Sequence, residues 1–470
     1  MRTLVSMSSE EMAAVRSLPA PRMARRAARR RPPAANPAAA NTLATAAGAG
    51  LALTVMLTLA TQSFGALGGP GEALIFGGRI TGMVAAYSML VLVLLVARLP
   101  VIERAAGQDK LVAWHRKLGP WPLYLITAHG LLITLGYAAQ ARTGALAELW
   151  TLLTTYPGVL AGTAGFALLI TAGVASYRRV RRRMAYETWW SVHLYTYLAL
   201  FLAFSHQTAT GQPFVGHPTA RAVWTAMWIA GAGLVLVYRV GLPVLRTLRH
   251  RPVVESVQAD APGVATVTVR GRALHRLPTA GGQFLQWRVL KPGLWWHAHP
   301  YSISSVPAAG RMQLTVKDLG DHSGAMARLA PGTRLAIEGP YGRFTQDARA
   351  GDAVALVGAG VGIAPIKSLL EDLPRGVDAT VILRGPSKDE IVLRDAIRRL
   401  CAERGARLHE LAGSRREVRL DRRPLARLIP DLHERDVYIC GPHEFIADVS
   451  AAAIGAGAAP ERVHSERFDF

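Results

Sequence analysis

Two apolar stretches of this chain, residues 111–137 and 186–207, each carry two histidines: His115 and His129 in the first, His193 and His206 in the second. Ionisable side chains are costly inside a bilayer and rarely occur there without a function, so four of them on two candidate membrane helices need one common explanation. Neutral imidazole is an axial ligand for haem iron, and two helices with two histidines each can hold two stacked haems. Separations of 14 and 13 residues, at about 1.5 Å rise each, put the members of a pair roughly 20 Å apart. That distance fits one haem near each face of an apolar layer about 30 Å thick. The plainer alternative for any one of the four is a packed residue hydrogen-bonded to a neighbouring helix. A fifth histidine in this region, His217, sits in a Gly/Pro-containing loop and is read as a loop residue. Fourteen residues return to within about 40° of the starting face, whereas thirteen fall about 140° away. The second helix is therefore expected to be distorted, or to end near His206.

Six apolar segments are long enough to cross a bilayer, at about 43–60, 74–97, 111–137, 153–175, 186–207 and 220–243. Residues 1–42, rich in Ala, Pro and Arg, read as a disordered basic tail. The net charge of +22 is carried largely beside these segments, as in Arg25–Arg31 and Arg178–Arg183, which points to membrane topology and away from nucleic acid. The connections alternate in charge: the tail, 98–117, 178–183 and the segment after 243 are basic, and the loops between them carry little positive charge. The positive-inside rule then predicts a multi-pass protein of the cell membrane with both termini cytoplasmic. His115 and His193 become the inner pair, His129 and His206 the outer pair. Pro120 and Pro122 are expected to kink the third span between its two histidines. The two cysteines, Cys401 and Cys440, allow neither a disulfide framework nor a cysteine-ligated iron–sulfur cluster.

After Pro252 the pattern changes to alternating runs, Val264–Val269, Phe284–Val289 and Met312–Val316, separated by Gly and Pro, which read as a small antiparallel barrel over 251–348. From Asp352 onward, apolar strands (Ala353–Val357, Ala379–Leu383, Val437–Cys440) alternate with helical stretches, the sign of a parallel α/β nucleotide-binding domain over 352–470. The segment His299, Pro300, Tyr301, Ser302 offers an aromatic for stacking on a flavin ring and a hydroxyl near its reactive nitrogen. Gly320, His322 and Ser323, at a possible helix start, offer donors to a pyrophosphate. Gly339–Gly342 is a tight turn, which taken alone says little. The run Gly358, Gly360, Gly362, Pro365 follows a strand and opens a helix, where glycines let a dinucleotide phosphate approach backbone N–H groups. No acidic residue ends the next strand. Arg384 and Lys388 lie there instead, which favours a 2′-phosphate and NADPH, with NADH as the alternative. Cys440, Gly441 and Pro442 follow the last strong strand, and the chain ends on Phe470.

Taken together, these motifs resemble the ferric reductase and NADPH oxidase superfamily over residues 43–470: a ferric-reductase-like transmembrane domain (43–245) fused to a ferredoxin–NADP reductase-like dehydrogenase. The resemblance implies a six-helix membrane bundle, an antiparallel β-barrel FAD domain and an α/β NADP-binding domain. By the same resemblance His299, Tyr301 and Ser302 bind FAD, Cys440 lies near the nicotinamide, and Phe470 covers the flavin face that the nicotinamide must reach. His299 stands where soluble ferredoxin reductases have Arg. Arg79 matches a second-helix Arg of oxidase members, but Ile133 stands where their second distal residue is His, so the likeness does not extend to that oxygen-reducing site. The implied activity carries electrons from NADPH through FAD and two b-type haems to an acceptor on the outer side, ferric chelate or oxygen. The alternatives are a flavin reductase with a non-haem membrane anchor serving a partner protein, and a non-catalytic membrane scaffold.

Overall fold

The computed structural model describes residues 37–62, 68–69, 71–414 and 417–467. Of the expected tail, 1–42, residues 1–36 lie outside the described residues and 37–42 are helical; the terminal Phe470 and the side chain of His322 also lie outside the described residues. The described residues form one compact unit. Its first half is helical: α1 (Pro37–Ala60), α2 (Glu72–Val96), α3 (Pro100–Ala106), α4 (Gln108–Leu118), α5 (Pro120–Ala141), α6 (Ala145–Thr155), α7 (Val159–Ser176), α8 (Arg178–Arg181), α9 (Tyr186–Thr210) and α10 (Pro218–Val235). A π-helical segment, Leu236–Gly241, joins α10 to α11 (Leu242–His250).

Among the described residues, five helices are long and apolar enough to cross a membrane: Asn41–Ala60, Glu72–Val96, Lys110–Ala141, Val159–Ser176 and Pro218–His250. The sixth expected span, α9, has the length, 25 residues, but Glu187, His193, His206 and Gln207 make it more polar than the other five. α4 and α5 meet at Gly119, between His115 and His129, which keeps helical torsions (φ −50, ψ −39), and Pro120 takes the first position of α5 where its missing N–H costs nothing. The expected distortion of α9 is not found. It is helical from Tyr186 to Thr210, straight past His206.

Small residues set the helix contacts, because only they let two backbones approach this closely. A Cβ at Gly136 of α5 would lie 2.8 Å from the Gly71 carbonyl oxygen, and one at Gly78 of α2 would lie 2.8 Å from Ile133. On the other side, a Cβ at Gly165 of α7 would lie 2.7 Å from the Ala199 carbonyl of α9. The bundle is thus two close antiparallel pairs, α2 with α5 and α7 with α9.

The second half opens with two three-stranded antiparallel sheets. One has the order β1 (Val253–Ala261), β2 (Val264–Arg270), β5 (Arg311–Lys317); the other runs β4 (His299–Ser302), β3 (Phe284–Val289), β6 (Leu335–Tyr341). Alternation puts Leu285, Trp287 and Val289 of β3 inside with Val267, Met312 and Leu314, forming one core between the sheets. α12 (Asp321–Ala327) lies between β5 and β6 in the chain. A five-stranded parallel sheet follows, in the order β11 (Val463–Arg467), β10 (Asp436–Gly441), β7 (Ala353–Ala359), β8 (Asp378–Gly385), β9 (Arg407–Ala412). Its helices are α13 (Ile363–Asp372), α14 (Arg394–Arg404), α15 (Arg422–Leu428) and α16 (His443–Gly455). The strands foreseen from sequence coincide with β2, β3, β5, β7, β8 and β10.

α13 ties this sheet to the preceding ones. Asp372 and Ser368 accept hydrogen bonds from the backbone N–H groups of Gly281 and Gly282, both at 2.9 Å, and Glu371 accepts from Val306 at 3.0 Å. Lys367 donates to the Ser304 carbonyl at 2.8 Å. Within the parallel sheet, fully buried Arg435 bonds Asp431 at 2.6 Å, Asp378 at 2.5 Å and the Val354 carbonyl at 3.2 Å. Arg435→Ala removes that hub. Because Asp378 and Asp431 are partly exposed, the loss is expected to be about 2 kcal/mol, lowering the unfolding midpoint by about 5–10 °C. Cys401 and Cys440 are both buried in this domain, so the onset of maleimide labelling on heating measures it directly. An unshifted onset would contradict the assignment.

Candidate functional site

The four histidines converge as two pairs at two levels of the bundle. The ring centroids of His115 and His193 are 6.1 Å apart, and those of His129 and His206 are 6.3 Å apart. Two imidazoles sharing one metal need a bond of about 2.0 Å on each side, plus about 1.15 Å from each nitrogen to its ring centre, or about 6.3 Å in all. Both pairs have the separation an iron between them requires.

Each ring has a polar contact at Nδ1; where the partner is a carbonyl oxygen, which can only accept, the Nδ1–H tautomer is set and Nε2 is left for a ligand. His129 Nδ1 lies 2.7 Å from the Gly78 carbonyl oxygen, and His115 Nδ1 lies 3.0 Å from that of Leu92. Both acceptors are backbone carbonyls of α2. On α9, His206 Nδ1 lies 3.0 Å from the Thr210 hydroxyl, and His193 Nδ1 lies 3.4 Å from that of Ser176. Trp189, one turn before His193, stacks on its ring at 5.3 Å and donates to the same Ser176 hydroxyl at 3.1 Å. Space for the outer rings comes from glycine. A Cβ at Gly82 would stand 2.6 Å from His129 Nδ1, and one at Gly162 would stand 3.0 Å from His206 Cβ. Since α9 stays helical, side-chain torsions and helix crossing must absorb the 13-residue spacing.

In the reductase half, β4 carries His299, Pro300, Tyr301 and Ser302. The Ser302 hydroxyl is buried with no hydrogen-bond partner among the described residues, and so is that of Ser304. A buried hydroxyl left without a partner is costly, and a bound group with an acceptor or donor at that point removes the cost. Burial pushes the Tyr301 phenol up to about 12, so the ring stays neutral for stacking. His299 stands 6.4 Å from Tyr301 by ring centroids. The Ser323 hydroxyl accepts from the Leu319 N–H at 2.8 Å and donates to the Gly320 carbonyl at 3.2 Å, holding the start of α12 together.

The glycine run lies where the sequence predicts: β7 ends at Ala359, Gly360–Gly362 form one 3-10 turn, and α13 begins at Ile363 with Pro365 buried in its first turn. Gly360 takes φ +54, a left-handed conformation that glycine adopts without strain. A Cβ at Gly362 would stand 2.6 Å from the Cys440 backbone, and one at Gly441 would stand 3.2 Å from Ala359 Cβ. Cys440 pairs in register with Gly358 across the parallel strands β10 and β7. These residues therefore meet at the carboxyl ends of adjacent strands, the crevice where open α/β sheets bind ligands. Burial pushes the Cys440 thiol well up, helped by the neighbouring Glu466 charge. It stays a neutral thiol, with Sγ 3.5 Å from the Glu466 carbonyl.

Arg384 and Lys388 diverge. Arg384 is nearly buried and donates to the carbonyls of Gly413 and Val418 at 3.3 and 3.4 Å, whereas Lys388 is exposed. The sequence did not reveal the backbone acceptors on α2, Ser176, Thr210 or the unpartnered Ser304. Only Trp189, four residues from His193, carried a signal in its spacing.

Residues 81–204 match the family described as ferric reductase like transmembrane component, and residues 356–451 match the oxidoreductase NAD-binding domain. The chain is similar to an NADPH oxidoreductase of Mycobacterium tuberculosis, 28% identical over 234 residues, 47% of this chain and 60% of that protein. It is similar to the ferredoxin–NAD(+) reductase component of an alkene monooxygenase system of Xanthobacter autotrophicus, 32% identical over 42% of this chain and 63% of that one. It is also similar to respiratory burst oxidase homolog protein A of Solanum tuberosum, 27% identical over 32% of this chain and 17% of that one. These matches each span less than two thirds of the relative. Among solved structures, the FAD/NAD-binding domain of a nitric oxide dioxygenase from Vibrio cholerae is 21% identical, with 46% of this chain and 98% of that chain covered and a TM-score of 0.40.

Two substitutions test the ring pairs. His129→Ala should remove one of two b-type haem signals and leave the other. Gly82→Ala, which touches no ligand bond, should weaken the same signal by crowding His129 off Gly78. Two intact haem signals in His129→Ala would contradict the pairing.

Proposed function

We propose that this chain, a ferric-reductase-like transmembrane domain joined to a FAD/NAD-binding oxidoreductase domain, carries electrons from cytoplasmic NADPH across the membrane to an acceptor on the outer side. Four histidines in two pairs, each at the separation that one shared iron demands, are the observation that carries this reading. Bound FAD supplies the conversion of a two-electron hydride donor into single electrons, and two b-type haems supply one-electron carriers at two depths.

The residues divide the work. His115 with His193 would hold the inner iron and His129 with His206 the outer one, while the Leu92 and Gly78 carbonyls would keep Nε2 of His115 and His129 unprotonated. Tyr301 stacks against the flavin ring, and Ser302 gives the hydroxyl contact at its reactive nitrogen. Gly358, Gly360 and Gly362 admit the dinucleotide to backbone N–H groups. The neutral Cys440 thiol packs against the nicotinamide without competing for hydride. Gly320, His322, Ser323, His299 and Pro300 complete the flavin side, and Gly441, Pro442 and Pro365 shape the nucleotide side. Phe470 would cover the flavin face that the nicotinamide must reach. Arg384 braces the Gly413–Val418 loop, and exposed Lys388 meets the 2′-phosphate. The orientation is supported by Arg98, at the basic end of α2, which touches Tyr341 of the reductase half. That contact sets the basic segment after α2 beside the flavin sheet. The domain boundaries 43–245, 251–348 and 352–470 and six membrane spans, α9 included, belong to the same reading.

The reading is tested in proteoliposomes holding the chain loaded with FAD and haem. NADPH added on the reductase side should reduce haem, and ferric chelate or oxygen confined to the other side should reoxidise it. Flavin reduction with no change in haem absorption would instead indicate a reductase whose membrane part is an anchor. Lys388→Glu should raise KM for NADPH about tenfold, since one lost charge contact is worth about 1.4 kcal/mol, with KM for NADH little changed. Equal effects on both nucleotides would refute the phosphate contact.

A further inference from the structure

The turn Gly339–Gly342, uninformative in the sequence, is where three membrane-side elements meet the flavin sheet. β6 is an edge strand, so its outward backbone groups need partners. The helix leaving the membrane supplies them: the Ile337 N–H donates to the Thr247 hydroxyl at 3.1 Å, and Arg246 donates to the Gly339 carbonyl. From the same helix, Arg239 in the π segment bonds Glu338 at 2.8 Å. Arg239 and Arg246 are two turns apart and so share one helix face. Glu338 also accepts from the Tyr341 hydroxyl at 2.9 Å. Burial, with the Glu338 charge beside it, raises the Tyr341 phenol and keeps it a donor. The second element is the segment after α2, whose Arg98 guanidinium lies 4.2 Å from the Tyr341 ring centroid, a cation–π contact removed from water. The third is Gly107, between α3 and α4, where a Cβ would stand 3.2 Å from Arg343. On its far side the turn faces the flavin and nucleotide domains. Tyr341 packs on Phe284 at 5.8 Å, Gln283 donates to the Gly342 carbonyl at 3.2 Å, and a Cβ at Gly342 would stand 3.6 Å from the Glu466 carboxylate.

We infer that Glu338 and Tyr341 form the joint that holds the flavin sheet in register with the inner histidine pair, and that they act as positioning residues for electron passage between the two halves. This rests on the electron-transfer reading above. Neither residue belongs to the flavin or nucleotide contacts, so their loss should leave hydride delivery alone and slow only the next transfer. Glu338→Gln takes the carboxylate from Arg239, and Tyr341→Ala takes one hydrogen bond from buried Glu338, so either change loosens the joint. Displacements of about 1 Å in a reacting assembly can cost about a hundredfold in rate.

The test uses the full chain with FAD and haem in lipid nanodiscs, with flavin bleaching and haem reduction followed separately after mixing with NADPH. Glu338→Gln and Tyr341→Ala should leave flavin reduction within about twofold of wild type and slow haem reduction about tenfold or more. Arg239→Glu combined with Glu338→Arg should recover most of that loss, and Tyr341→Phe, which keeps the Arg98 contact, should fall between. Hydrogen exchange at the Ile337 amide, which needs no turnover, should speed up in the slowed variants and return toward wild type in the exchanged pair. Unchanged haem reduction in both single variants, or equal losses of flavin and haem reduction, would overturn the joint. Wild-type protein that reduces flavin but never haem would instead overturn the electron-transfer reading beneath it.

Discussion

The contact on which the rest of this structure depends is the hydrogen bond from His129 Nδ1 to the carbonyl of Gly78, repeated at the other end of the same helix pair by His115 and Leu92. The interior of an α-helix has no spare donors to offer a ligand. It can offer a carbonyl a second bond, and a histidine that gives its Nδ1 proton to one must present Nε2 to whatever lies opposite. The acceptors are 14 residues apart on α2 and the histidines 14 apart across α4 and α5, running the other way. One antiparallel register therefore aims both rings at once. Gly71, Gly78, Gly82 and Gly136 make the register possible, because each sits where a Cβ would strike the partner helix or the ring.

From that register the arrangement extends outward. α7 and α9 form a second close pair and bring His193 and His206 to face the first two. The helix that leaves the membrane runs on through Leu236–Gly241 without a break, and π segments of this kind often mark functional positions. It ends against β6, so the same rigid element that closes the bundle also caps the edge of the flavin sheet. α13 then fastens the nucleotide sheet to the strand ends at Gly281, Gly282 and Val306. The route from the Gly358–Gly362 turn to the inner histidine pair thus passes through fixed contacts at each domain boundary.

Much of this was legible in the sequence, for identifiable reasons. Histidines in apolar runs stand out because the bilayer penalises them, and alternation located β2, β3 and β5 because one face of each is buried. The strand-turn-helix context located the Gly358–Gly362 turn. What stayed hidden was mostly backbone: the carbonyls of Gly78 and Leu92 belong to residues whose side chains say nothing about them. Of the two expectations for α9, distortion or an end near His206, the helix shows the second, ending at Thr210; helical periodicity fixes Cβ directions only, and the ring positions also depend on torsions beyond Cβ. Arg384 read as a 2′-phosphate contact, but its guanidinium donates to the carbonyls of Gly413 and Val418. Tyr341 and Glu338 were invisible because their partners lie in α2 and the π segment, about a hundred residues or more away in the chain.

The measurement that bears most directly on the central claim is cofactor stoichiometry and coordination in the purified chain, by pyridine haemochrome and flavin assay together with low-temperature electron paramagnetic resonance. Two histidine pairs at 6.1 and 6.3 Å predict two b-type haems for each FAD, both six-coordinate and low-spin with two imidazole ligands. Flavin with no haem, or haem in a high-spin, singly ligated state, would contradict the account.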